Sequence, residues 1–66
     1  MQIKNERIEL ILAEKGLTKA ALAEKGGFRR QNLSTILKRG TCEPKTAGKI
    51  AKALGVTPAE IIRTED

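Results

Sequence analysis

The stretch that decides the fold is residues 17–36, which reads LTKAALAEKGGFRRQNLSTI. It contains two short helical patterns on either side of Gly26-Gly27, a glycine pair that ends one helix and makes a turn. The first pattern predicts a helix over about residues 18–25, with Thr18 as its N-cap. The second predicts a helix over about residues 29–38, because its apolar side chains recur on one side: Leu33, Ile36 and Leu37.

Two longer helices are predicted on either side of this pair. The earlier one covers about residues 5–15, with Asn5 as its N-cap, and ends at Gly16. The later one follows the loop at residues 40–44, and its apolar residues have helical spacing: Ala47, Ile50, Ala51 and Leu54. Gly48 within it is expected to cost on the order of 1 kcal/mol against alanine unless another backbone approaches closely.

A fifth, short helix is predicted near the end of the sequence. Thr57 is its expected N-cap, Pro58 the first helical residue and Glu60 the third, which is the pattern of a capped helix start. No segment has the length and alternation of a strand. The predicted fold class is therefore all-α, with five helices.

The composition limits the kind of protein. The chain has 66 residues with one Phe and no Tyr or Trp, so we expect one domain over residues 1–66 with an aliphatic core. Without histidine and with Cys42 as the one cysteine, it has no internal disulfide and no usual four-ligand zinc site. No cofactor or metal is predicted. Since no stretch has the length of a membrane span and the start lacks the apolar run of a signal peptide, we expect a cytoplasmic protein.

The positive charge is concentrated in the middle of the chain. Residues 1–17 and 43–66 are each neutral, whereas residues 18–42 hold six basic residues and Glu24 alone, which accounts for the whole net charge of +5. A basic patch on a neutral scaffold is typical of a protein that binds a polyanion.

A short helix, a tight turn and a second helix that crosses the first present one helix to the major groove of DNA. Ala23 is small at the expected crossing, and Gly27 tolerates a positive φ in the turn. Residues 17–36 resemble the helix-turn-helix of the phage-repressor family, also called the Cro/repressor or Xre type. Residues 50–56, IAKALGV, resemble its fourth helix and the entry to its fifth.

The resemblance covers nearly the whole chain. It implies a five-helix lambda-repressor-like domain with its helix-turn-helix at about residues 18–38. It also implies sequence-specific binding to double-stranded DNA through the third helix in the major groove. The expected role is transcriptional regulation, by repression, in a protein encoded by a bacterium or a phage.

Three positions depart from the family pattern. Gly26 stands where Ala or a larger apolar residue is usual, and Lys19 replaces a common Gln. Arg29 occupies the place where Ser often caps the third helix. Arginines at a helix N-terminus oppose the helix dipole at a cost of a few tenths of a kcal/mol. Their presence is explained if the guanidinium groups meet a phosphate or a guanine.

The expected contact face lies opposite the apolar side of the third helix. At about 100° per residue, Gln31, Thr35 and Lys38 point away from the apolar side. The family's base-contacting positions, carried across, fall on Arg30, Gln31, Ser34 and Thr35. Arginine pairs with guanine, glutamine with adenine, and a threonine methyl contacts thymine. Phosphate contacts are predicted for Lys19, Arg29, Asn32, Lys38 and Arg39.

Other interpretations remain at this point. The polar side of the third helix could be an ordinary solvated surface, and Cys42 is most simply an incidental residue. An enzyme is not predicted, because a small aliphatic bundle encloses little volume. An antitoxin-like protein-interaction module could use the same scaffold, although six residues follow Glu60 where such a module would carry a long extra segment. Binding of single strands is disfavoured by the lack of aromatic residues for stacking.

A homodimer is predicted, because short helix-turn-helix proteins read two half-sites about 34 Å apart. The expected interface is the fifth helix, with Val56, Ile61 and Ile62.

Overall fold

The structure, a computed structural model, describes residues 1–63. As predicted, the fold is all-α, and these residues form five helices: α1 (Asn5–Lys15), α2 (Lys19–Gly26), α3 (Arg30–Arg39), α4 (Pro44–Leu54) and α5 (Pro58–Ile61). Most boundaries agree with the predicted ones to within one residue.

The start of α2 is capped as predicted. The Thr18 side-chain oxygen accepts a hydrogen bond from the Ala21 amide at 3.1 Å, and the Thr18 backbone is extended. This bond satisfies one of the amides that a helix start leaves without a partner.

The prediction that Asn5 caps α1 is wrong. Asn5 is the first helical residue, and Lys4, in extended conformation, occupies the N-cap position without a side-chain cap. The Lys4 amide donates to the Ile61 carbonyl at 2.6 Å, which holds Lys4 in line with the preceding residues, so that the helix starts at Asn5, one residue earlier than a cap at Asn5 would allow.

The predicted position of the start of α5 is confirmed, but the side-chain bond expected there is not formed. Pro58 is the first helical residue, yet the Thr57 side chain makes no capping hydrogen bond. The Glu60 amide instead donates to the Thr57 backbone carbonyl at 3.0 Å. In a helix of four residues, this backbone bond satisfies the donor that the side chain was expected to bind.

The first residues of the chain lie between two other segments. Gln2 pairs with Thr41 on one side, and Ile3 pairs with Ile62 on the other, each through an isolated antiparallel bridge. The Ile3 amide donates to the Gly40 carbonyl and the Arg63 amide to the Gln2 carbonyl, both at 2.9 Å. This short extended segment joins the end of α3 to the end of α5, and its two paired residues carry no strand pattern in the sequence.

The core is aliphatic, as the composition predicts. The buried residues come from every helix and from the extended segment: Ile3, Ile8, Ile11, Leu12, Leu22, Ala23, Leu33, Leu37, Ala47, Ile50, Ala51, Leu54 and Ile61. Ile36, expected among them, is half-buried at the edge of the core.

One predicted interface residue lies in this core. Ile61 is 0% exposed, so its side chain packs inside the protomer and is not on the surface where a second copy would bind. The reason is that α5 is a single turn whose one buried side faces α1 and α4. Val56 and Ile62 are half-buried and pack against the core.

The helix packing leaves α3 on the outside. α2 packs against both α3 and α4, and α4 and α1 pack against α5. One side of α3 is therefore fixed to α2 by Leu33 and Leu37, while its other side is free.

Candidate nucleic-acid interface

The turn between α2 and α3 has the geometry that a crossed helix pair needs. Ala23, 1% exposed, is small enough for close packing, and its carbonyl accepts a hydrogen bond from the Phe28 amide at 2.8 Å. Gly27 has a φ of 74°, which glycine adopts without strain. Leu22 and Leu33 are both buried, so the two helices are held to each other and to the rest of the core.

The departure at Gly26 has a structural reason. A Cβ atom on Gly26 would lie 2.5 Å from Cε2 and 2.7 Å from Cδ2 of Phe28. The ring of Phe28 therefore occupies the position that the methyl group of the more usual alanine would take. The one aromatic side chain of the protein thus covers the end of α2, just before the start of α3.

The nine residues predicted to contact DNA are all exposed: Lys19, Arg29, Arg30, Gln31, Asn32, Ser34, Thr35, Lys38 and Arg39. Eight of them lie on α3 or at its N-cap, and Gln31, Thr35 and Lys38 face away from the buried residues of that helix, Leu33 and Leu37. The structure therefore brings these eight side chains together on one solvent-facing helix. A helix of this size fits the major groove of double-stranded DNA.

Within this surface, Thr35 has a defined hydrogen bond. Its hydroxyl donates to the Gln31 backbone carbonyl at 2.9 Å, one turn earlier in α3. The hydroxyl proton is thus used within the helix, and the remaining contacts available to Thr35 are its methyl group and the lone pairs of its oxygen.

The charge of α3 has one sign. Residues 29–39 include four cationic side chains and no carboxylate. Lys38 and Arg39 lie in the last turn, where the helix dipole favours positive charge, whereas Arg29 and Arg30 lie at the N-terminus, where it opposes them. The Arg29 side chain makes no capping hydrogen bond. The arginines at this end therefore add positive potential for an external anion and no stability to the helix.

Lys19 has a partner that the sequence did not reveal. Its ammonium lies 3.4 Å from a carboxylate oxygen of Glu9 on α1, and both side chains are about half exposed, at 54%. Glu9 and Lys19 are on different helices, so helical spacing could not identify the pair. A phosphate that approaches Lys19 competes with this carboxylate.

Cys42 lies just beyond α3 and is half-buried. Burial raises the pKa of its thiol above the ordinary value, the N-terminal ammonium group opposes this shift, and the Glu43 carboxylate adds to it. Its amide donates to the Met1 carbonyl at 2.9 Å. Cys42 therefore holds a protonated thiol beside the extended segment.

Over residues 1–63, no helix combines the length and the apolar character required to cross a bilayer. In the same range, no three His, Cys, Asp or Glu residues are grouped so that they could hold a metal ion.

The two crossed helices, the glycine turn and the basic exposed side of α3 define a helix-turn-helix DNA-binding domain. The family model for the Cro/C1-type HTH DNA-binding domain matches residues 7–66, and the chain belongs to this family. The match confirms the resemblance read from residues 17–36 and 50–56, and double-stranded DNA is the partner of such a domain. Comparisons with curated proteins and with solved structures found no match.

Proposed function

We propose that the chain is a transcriptional repressor that binds an inverted DNA repeat as a homodimer, with α3 in the major groove. The observation that carries this proposal is the exposed side of α3, where base-reading and phosphate-binding side chains share a helix without any carboxylate. A cytoplasmic, nucleoid-associated location, for a protein encoded by a bacterium or a phage, accords with this function.

The proposed base contacts are Arg30, Gln31, Ser34 and Thr35. Arg30 would bind guanine and Gln31 adenine, each through two hydrogen bonds that the major groove offers to these side chains. Ser34 is short enough to let the helix approach closely. The methyl group of Thr35 would contact the methyl group of thymine, since its hydroxyl already donates to the Gln31 carbonyl.

The proposed phosphate contacts surround this set: Lys19, Arg29, Asn32, Lys38 and Arg39. Such contacts position a protein on the duplex without reading its sequence. They also make the affinity fall steeply as the salt concentration rises.

The test is selection of binding sites from a randomised duplex pool with the wild-type protein and with Gln31→Ala. We expect an inverted-repeat motif that loses its preference at one position in the variant, at a cost of about 1–3 kcal/mol. Gln2→Ala is the matched control, because Gln2 is exposed and outside α3. Retention of DNA with no enriched motif would contradict base reading by α3. Failure to retain any duplex would favour an antitoxin-like role with a protein partner.

The dimer is tested separately by sedimentation over a concentration series. With Ile61 in the core, the proposed contact surface is reduced to the exposed parts of Val56 and Ile62. A monomer at tens of micromolar, together with a selected motif that has a single half-site, would contradict the dimer but not the reading of bases by α3.

A further inference from the structure

An open groove of about 490 Å³ lies between the end of α2 and the second half of α4. Its lining consists of Lys25, Gly26, Lys49, Lys52 and Ala53. None of these residues is on α3, and none is among the proposed DNA contacts. The volume is within the range of about 300–1,000 Å³ that small-molecule sites occupy.

The charged lining of the groove is entirely positive. Lys49 and Lys52 are one turn apart on α4, and Lys25 faces them from α2. Over residues 1–63, the one ion pair within 4.0 Å joins Lys19 to Glu9, so no described carboxylate neutralises these three ammonium groups. Like charges gathered at one groove repel each other, and an anion between them would remove that repulsion.

The other two lining residues are small. Gly26 has no side chain, and the ring of Phe28 lies close to it, while Ala53 contributes only a methyl group. These two residues therefore leave the charge of the groove to the three lysines. The groove has no aromatic lining residue, so a nucleobase would have no side chain to stack on, and recognition would depend on charge.

We propose that this groove, the α2–α4 groove, binds the phosphate chain of a small oligophosphate. Lysine suits this ligand, because its ammonium group is a compact charge that donates three hydrogen bonds in adjustable directions. The site is separate from the surface of α3, and the proposal does not depend on whether α3 reads bases. Bound ligand would place an anion beside the end of α2, close to the turn that leads into α3.

The test is a titration with inorganic tripolyphosphate, followed by two-dimensional ¹H–¹⁵N NMR at constant ionic strength. The Gly26 and Ala53 amides report directly on the groove. We expect their signals to shift and saturate, and we expect Lys49→Gln/Lys52→Gln to weaken binding about tenfold or more. All three lysines are exposed, so this variant should keep its fold, which its thermal unfolding checks.

The matched control is Lys4→Gln/Arg7→Gln, which also removes two positive charges, but from exposed positions near the start of the chain. It should leave the Gly26 and Ala53 titration unchanged. A nucleoside triphosphate used in place of tripolyphosphate shows whether a nucleoside adds affinity, and equal binding of the two is the expected result.

Three results would overturn the proposal. The first is a shift of signals over the whole basic surface, without saturation and equal in both variants, which would mean general screening of charge. The second is saturation confined to α3, which would place the anion on the DNA-binding surface. The third is binding of an acidic peptide where tripolyphosphate does not bind. Selection of DNA sites with the same lysine variants tests base reading by α3 separately from anion binding in the α2–α4 groove.

Discussion

The aromatic ring of Phe28 occupies the space in which a Cβ atom on Gly26 would lie. Glycine is a poor helix former, and α2 nevertheless ends with it. The helix loses some intrinsic stability at this position, and in return the one large aromatic side chain packs against the core beside the turn. A substitution that improves the helix must therefore displace the ring.

We expect Gly26→Ala to destabilise the protein by about 1–3 kcal/mol, the usual cost of adding atoms to a filled space. Chemical denaturation measures the change. Gly48→Ala is the matched control, because a Cβ atom there meets nothing within 4 Å and no backbone approaches it. That variant should gain roughly 0.5–1 kcal/mol from helix propensity. Equal and favourable effects of the two substitutions would show that the ring moves aside without cost.

The two N-cap threonines should differ in their contribution to stability. Thr18→Ala removes a hydrogen bond to the Ala21 amide and should cost about 1 kcal/mol. Thr57→Ala removes a side chain that makes no capping bond, so a smaller loss is expected. Urea denaturation of both variants provides the comparison. A larger loss at Thr57 than at Thr18 would contradict the bonding described for these helix starts.

The ion pair between Glu9 and Lys19 should limit DNA affinity. Glu9→Gln frees the lysine and removes a negative charge, and an exposed pair of this kind is worth about 0.2–1 kcal/mol. We expect duplex binding to strengthen by about two- to fivefold at low salt, with the gain shrinking as salt is added. Glu14→Gln, an exposed change of the same charge on α1, controls for net charge. An equal gain in both variants would show that net charge, and not the pair between Glu9 and Lys19, limits the affinity.

Thr35 separates methyl contact from hydroxyl contact. Thr35→Ser keeps the hydroxyl and removes the methyl, so we expect binding to the selected site to weaken by about 0.8 kcal/mol, the value of one buried methyl group. Thr35→Val keeps the methyl and should bind more tightly than Thr35→Ser. Replacement of thymine by uracil in the site should weaken the wild-type protein but not Thr35→Ser. Competition binding at fixed salt measures the affinity in all three comparisons. Tighter binding by Thr35→Ser than by Thr35→Val would favour a role for the hydroxyl group.

Cys42 should make stability depend on alkaline pH. Its folded-state pKa is raised, mainly by burial, so folding favours the protonated thiol. That contribution is fully present below the thiol pKa of the unfolded chain and is lost as the pH rises through the folded value. Relative to Cys42→Ala, the wild-type protein should therefore lose stability over this range. Denaturation midpoints at a series of pH values measure the difference, and parallel curves would contradict the prediction.

The helix pair was predictable from the sequence because its signals are local. Thr18 and Gly27 act within one turn of their own positions, and the spacing of Leu33 and Leu37 shows which side of α3 is buried. The same spacing identified the exposed side, with Gln31, Thr35 and Lys38 at its centre, whereas Arg30 was assigned from the family resemblance.

The features that were missed depend on contacts distant in sequence. The pairing of Gln2 and Ile3 joins three separate segments, and the bond between Lys4 and Ile61 makes Lys4, not Asn5, the N-cap of α1. Ile61 was expected on the surface, but a single turn of helix has too few residues to show which side is buried. The Lys19–Glu9 pair and the α2–α4 groove each join two helices, and no spacing within one helix reports such a contact.

The extended segment at residues 2–3 has a consequence for the order in which the protein forms. The Gln2 carbonyl accepts from the Arg63 amide, and the adjacent Lys4 amide donates to the Ile61 carbonyl, so the segment stays incompletely bonded until the ribosome has released residue 63. The four helices before that point have 8 to 11 residues each, a length at which an isolated helix is marginal in water, so they depend on packing against one another. The carbonyl of Gly40, at the exit of α3, binds the same segment. During synthesis, the far end of α3 is therefore anchored to a segment that completes its hydrogen bonding only after residue 63 has been made.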